Sequence, residues 1–145
     1  MSVVVAAGAS TDIRVPLPVL VRAVDQATID AYAEATGDFN PIHVDPDYAK
    51  DGPFGRTIAH GLMTLALVAE MLNLWSGGAF DESGEIDIAF VGPVFVGDVV
   101  TVSGTVEETI QRDGVDSLRV ALLVMAGERR ILAGHAIQPF SGSGS

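Results

Sequence analysis

His60-Gly-Leu-Met-Thr-Leu-Ala-Leu-Val-Ala-Glu-Met-Leu-Asn-Leu-Trp75 contains the longest apolar region of the 145-residue chain, Leu62 to Trp75, and its reading decides the fold. Wound as a helix, His60 to Trp75 places apolar side chains on nearly every face. A helix apolar all round is a buried helix. Gly77-Gly78 ends it. Thr64, Glu70 and Asn73 interrupt the run, which falls short of the ~20 apolar residues that span a bilayer. Burial must therefore come from the rest of the chain, and four downstream segments supply it. Glu85 to Val91, Asp98 to Glu108, Ser117 to Ala126 and Arg130 to Pro139 are rich in Val and Ile and read as strands. Arg112-Asp113-Gly114 and Gly127-Glu128 are hairpin signals between them. Strands grouped after a helix predict an α+β fold with an antiparallel sheet. The simplest packing wraps a curved sheet around the long helix, which is the hot-dog arrangement.

Upstream of the helix, Arg14 to Val24 carries Pro16 and Pro18, which limit it to an edge strand or an extended entry. A first helix follows. Asp25 or Thr28 can cap it, and Ile29, Tyr32, Ala33 and Thr36 recur at helical spacing. Gly37 stands where such a helix stops. Asp38 to Pro41 is then irregular backbone just past a helix end. Pro46 starts a short helical turn through Lys50, broken by Gly52, Pro53 and Gly55. The expected organisation is a flexible arm over residues 1–12, one domain over 13–140 and a linker-like, disordered tail over 141–145.

Composition bounds the function. The chain has 8 Lys and Arg against 19 Asp and Glu, a formal net charge of -11. Such a surface repels phosphate backbones and argues against general nucleic-acid binding. A phosphorylated ligand would need a local arginine cluster. The absence of cysteine rules out a disulfide framework and a Cys-based zinc site, and fits a reducing cytosol. Val3 to Ala9 is small and apolar, but no basic residue precedes it as in a signal peptide. The expectation is a soluble cytoplasmic protein with no membrane partner.

The chemistry-bearing residues gather after the first helix. Asp38 and His43 are five positions apart, separated by Asn40-Pro41, which fix a turn and let both side chains face one cavity. Seventeen residues beyond His43 comes His60-Gly61, at the start of the buried helix. A helix start offers free N–H groups and the positive end of the dipole, a natural place for a developing negative oxygen. A carboxylate, an imidazole and an oxyanion donor make an acid/base site without a metal. An EF-hand loop counted from Asp38 fails, because its sixth residue is His43 instead of Gly. No second histidine lies near His43 in sequence, so a metal site is not favoured. Nucleotide, dinucleotide and serine-hydrolase motifs are absent. His135 falls in a strand and is assigned no chemistry.

The run Ala35-Thr-Gly-Asp-Phe-Asn-Pro-Ile-His43-Val-Asp-Pro-Asp-Tyr-Ala49, then Phe54-Gly-Arg-Thr-Ile-Ala-His-Gly-Leu-Met63, resembles the MaoC-like (R)-specific enoyl-CoA hydratases and dehydratases. Phe90-Val-Gly-Pro-Val-Phe-Val-Gly-Asp98 resembles a later strand segment of that family, and the likeness extends from about Val15 to Pro139. The resemblance implies a trans-2-enoyl thioester of coenzyme A or acyl carrier protein as substrate, with no separate cofactor. It implies that Asp38 and His43 hold the catalytic water, with Asp38 as base and His43 relaying the proton to C2. It gives the Gly61 N–H the thioester carbonyl, and makes Asn40 and His60 supporting residues. It also implies a dimer or larger assembly with a thioester tunnel near the subunit interface. Leu62 and its neighbours could floor an acyl pocket. Arg56, between His43 and Gly61, is either a phosphate or carrier contact or half of a surface salt bridge. Partial burial beside the helix would bring Asp38 toward a useful working pKa. Two other readings keep the fold and change the chemistry: an acyl-thioester hydrolase, and a non-catalytic subunit that binds acyl chains or a partner.

Overall fold

The computed structural model describes residues 14–140; the arm at 1–12 and the tail at 141–145 lie outside the described residues. The elements, in chain order, are β1 (Val15–Pro16), β2 (Leu20–Ala23), α1 (Gln26–Thr36), α2 (Pro41–Val44), α3 (Pro46–Lys50) and α4 (Gly61–Ser76). Then follow α5 (Ala79–Ser83), β3 (Glu85–Phe90), β4 (Val99–Arg112), β5 (Val115–Ala126) and β6 (Arg129–Pro139).

The prolines keep β1 and β2 short, and both pair antiparallel with the outer side of β4. Of the two candidate caps for α1, Asp25 serves. Its carboxylate accepts the Thr28 N–H at 2.8 Å and the Thr28 hydroxyl at 2.7 Å. These bonds, the hydroxyl first, hold the Asp25 carboxyl below its ordinary value of 3.8. Gly37 closes α1 at φ 78°, a left-handed conformation that costs a glycine little.

The sheet runs β1-β4-β5-β6-β3, with β2 also on β4, and all its pairings are antiparallel. β4 continues past Glu108, the expected end, because pairing with β5 persists to the turn at Asp113-Gly114. Both turn residues have positive φ, 53° and 78°, as a two-residue hairpin matched to strand twist requires. Along β4 and β5 every second residue is buried: Val100, Val102 and Val106 on one strand, Leu118, Val120, Leu122 and Val124 on the next. This face forms one core with Met63, Val68, Met71 and Leu72 of α4. Helix and sheet approach closely at Gly104, where an added Cβ would meet Met71 and Leu17 at 3.2 Å.

Two expectations change. His60 is the residue before α4 and not its first turn, and α4 ends one residue later than expected, at Ser76. Within the chain the helix is not buried all round, since Leu62 is 64% exposed and Leu74 57%. The sheet covers one side of a helix only, so the apolar side turned away stays open. Two short helices, α2 and α5, were not anticipated, being too brief to show a period. No helix among the described residues is long and apolar enough to cross a membrane.

Leu72 is fully buried between helix and sheet. Leu72→Ala is expected to cost about 2–5 kcal/mol in urea unfolding, with the range set by how far the site relaxes. Asp25→Ala removes a cap whose carboxyl is held low in the folded state. The cap's contribution is full above pH 3.8 and is lost as pH falls through the lower folded value. Melting curves should show the variant destabilised at neutral pH and level with the wild type in strong acid.

Candidate active site

The left-handed turn at Gly37 delivers Asp38 into a loop built by its own hydrogen bonds. Asp38 Oδ1 accepts the Asn40 N–H at 3.2 Å. Asn40 Oδ1 in turn accepts the Ile42 N–H at 3.2 Å and caps α2, with Pro41 at its first position. The His43 N–H donates to the Asn40 carbonyl at 2.9 Å. Asn40 thus shapes the loop from both its backbone and its side chain. The expected turn at Asn40-Pro41 is a full helical turn that carries His43.

Hydrogen bonds set the tautomer of each histidine. His43 Nδ1 lies 2.7 Å from the Ile58 carbonyl. A carbonyl only accepts, so Nδ1 carries the proton and the neutral ring keeps its lone pair on Nε2. His60 is 3% exposed, and its Nε2 donates to the Asp38 carbonyl at 2.9 Å. Its Nδ1 is buried with no hydrogen-bond partner among the described residues. The two imidazoles stack with centroids 3.9 Å apart and planes at 27°, and Tyr32 packs on His60 at 4.8 Å.

Polar atoms of Asp38, His43 and His60 all lie within 4.8 Å of one another. The expected pair is therefore together, and His60, distant from His43 in sequence, is its neighbour in space. Among the described residues, these three could hold a metal ion. Asp38 is exposed. The partial burial expected for it is not provided within one chain, because the sheet covers the other side of α4.

Gly61 is the first residue of α4, and its N–H has no acceptor within the helix. The Met63 N–H turns back to the His60 carbonyl at 3.1 Å. A Cβ on residue 61 would stand 3.5 Å from the Phe90 ring, so glycine leaves that corner open. The His60–Asp38 bond ties the residue before Gly61 to the residue that carries the carboxylate. A short extended stretch holds this arrangement: Ala59 N–H bonds the Val94 carbonyl at 2.8 Å, and Val96 N–H the Thr57 carbonyl at 3.1 Å.

Gln26 was missed by sequence reasoning. Its amide nitrogen donates to the His43 carbonyl at 2.8 Å, and its oxygen accepts the buried Thr57 hydroxyl at 2.7 Å. It joins the start of α1 to both halves of the site. In sequence it is an ordinary first-turn residue beside a cap, with no local signal of those partners. Tyr32 was read only as part of a helical face. Leu62 stands exposed beside Gly61. Arg56 has no carboxylate within salt-bridge reach among the described residues; its guanidinium lies 3.9 Å over the Phe95 ring. His135 belongs to β6 and faces Glu107 at 3.6 Å, apart from this cluster.

Comparison with known proteins agrees with this geometry. The MaoC like domain matches residues 4–127. The chain is 33% identical to the 3-hydroxybutyryl-CoA dehydratase of Methylorubrum extorquens over 119 residues, 82% of this chain and 74% of the relative. It is 37% identical to the (R)-specific enoyl-CoA hydratase of Aeromonas caviae over 91 residues, 60% of this chain and 63% of that one. Among solved structures, the (R)-hydratase from A. caviae involved in PHA biosynthesis superposes with a TM-score of 0.73 at 26% identity. That match covers 91% of this chain and 97% of the other. The antiparallel sheet packed on a long helix is thus the hot-dog fold, and the chain belongs to the MaoC-like family.

Proposed function

We propose that the chain catalyses the reversible addition of water to a trans-2-enoyl thioester, giving the (R)-3-hydroxyacyl thioester. The observation that carries this is the meeting of the Asp38 carboxylate and the His43 imidazole within 4.8 Å, close to the uncommitted N–H at the head of α4. The family relatives named as hydratases and dehydratases support it.

The division of labour follows from the hydrogen-bond inventory. Asp38 is an acceptor and takes a proton from water as its oxygen bonds to C3. His43, with Nδ1–H committed to Ile58, presents its Nε2 lone pair, which takes that proton from the Asp38 carboxyl and passes it to C2. The C2–C3 π pair moves toward the thioester carbonyl, whose growing negative charge meets the Gly61 N–H and the helix dipole. One O–H bond breaks, one C–O and one C–H bond form, and the reverse sequence is dehydration. No group beyond the thioester and its carrier enters these steps.

We further propose that the chain works in the cytoplasm as a homodimer or larger homo-oligomer. The exposed Leu62, Leu74, Phe90 and Val91 are an apolar surface that a second copy would cover, and Leu62 and Phe90 flank Gly61 where an acyl chain would run. Sedimentation should return at least twice the mass of one chain, and a monomer at working concentration would refute this.

Asp38→Asn and His43→Gln should each lower kcat by about 10²–10⁴-fold while leaving the melting temperature near that of the wild type. Loss of enoyl absorbance with crotonyl-CoA and a longer enoyl-CoA is the assay, with chiral analysis of the product. Thiol release from a saturated acyl-CoA would favour a hydrolase. Tight enoyl-CoA binding without turnover would favour a binding subunit.

A further inference from the structure

Five residues before Gly61, a guanidinium with no acidic partner among the described residues stands on an aromatic ring. Arg56 lies 3.9 Å over Phe95, and Arg129 lies 4.7 Å from the same ring. Arg129 is neutralised by Asp98, which also accepts the Phe95 N–H at 2.8 Å and so fixes the ring's backbone. Acids outnumber bases 19 to 8 in this chain, yet no carboxylate among the described residues lies within salt-bridge reach of Arg56. Contact with the ring face holds the guanidinium in place, and its N–H groups can still donate to a planar or tetrahedral oxyanion. Beside it lies a cleft of about 490 Å³ lined by Asn40, Ile42, Tyr48, Asp51, Phe54 and Arg56, which reaches the active-site loop through Asn40.

The spacing defines what fits. Ile58 bridges Phe95 in extended pairing, and His60 is also extended, with φ -63° and ψ 138°. From Arg56 to Gly61 is five residues, at most roughly 17 Å when fully extended. A pantetheine arm stretched from its thioester sulfur to its phosphate spans about 16 Å by ordinary bond lengths. A thioester whose carbonyl meets Gly61 therefore brings the arm's phosphate within reach of Arg56.

We propose that Arg56, held over the Phe95 ring, binds the phosphate of the phosphopantetheine arm that carries the acyl group. The inference rests on the hydratase reading for the position of the carbonyl. Coenzyme A and an acylated carrier protein both present this phosphate. Asp51 in the same cleft disfavours a cluster of further negative charges there, so the site takes the arm's single phosphate.

The test compares wild type, Arg56→Gln and Arg56→Lys on crotonyl-pantetheine, crotonyl-4′-phosphopantetheine, crotonyl-CoA and a crotonylated carrier protein. Arg56→Gln should raise KM about tenfold for each phosphate-bearing substrate, by a similar factor, with kcat little changed. The rise should be absent with crotonyl-pantetheine, and Arg56→Lys should recover part of it. A rise shared by all four substrates, or by none, overturns the proposal. A rise with crotonyl-CoA alone overturns it in favour of a contact with the nucleotide, and one with carrier protein alone in favour of a protein contact. Calorimetric binding of free 4′-phosphopantetheine and pantetheine to wild type and Arg56→Gln separates this inference from the reaction. If no enoyl thioester turns over, a tenfold phosphate-dependent loss of binding still upholds the Arg56 site, and no difference removes it.

Discussion

One face of α4 pressed against the inner face of the sheet is the contact on which the rest depends. The residues that make it are fully apolar: Val68, Met71 and Leu72 on the helix, and Val100, Val102, Val120 and Val124 on the strands. Gly104 allows the close approach, since any side chain there would push Met71 and Leu17 away. Because this interface is dense, the helix cannot slide or roll without opening a void. Its first residue, Gly61, is therefore held still, and a fixed N–H needs no reorganisation when charge develops near it.

The site joins that rigid helix to a more lightly built loop. α2 and α3 are single turns capped by Asn40 and Asp45, which contribute little core. Their position comes from cross-links. Gln26 reaches both the His43 carbonyl and the Thr57 hydroxyl, and His60 bonds the Asp38 carbonyl. The stacked imidazoles bring the loop and the start of α4 into direct contact. Each histidine spends one nitrogen on a backbone carbonyl, which sets its tautomer. In the proposed mechanism His43 offers its second nitrogen to the reaction, while that of His60 stays buried.

Burial is distributed unevenly around this centre. The sheet side of α4 is dry, whereas the side that carries Leu62 and Leu74 is open, and Asp38 stands exposed beside it. An acid/base pair at the edge of an apolar face suits a substrate with a polar head and a hydrocarbon tail. In the proposed reaction the pair would meet the reacting carbons and the face would receive the chain. Arg56 adds a cation at the other end of the same extended segment.

The sequence by itself determined the main elements and the candidate residues. Val and Ile at alternating positions, Asp113-Gly114 and Gly127 between them, and one long apolar helix leave little choice of architecture, because each is a local preference that agrees with the others. Asp38, Asn40, His43 and Gly61 were equally legible, since a capped turn and a helix start are short-range events. The contacts between distant segments were decided by tertiary structure alone. Nothing in the spacing of His43 and His60 reveals that their rings stack, or that Gln26 reaches 31 residues to Thr57. Arg56 could have sat in a salt bridge until the pairing of Ile58 with Phe95 placed an aromatic ring beneath it. The open side of α4 was hidden for the same reason: hydrophobicity says that a face must be covered, and only the packed chain shows which face its own sheet can reach.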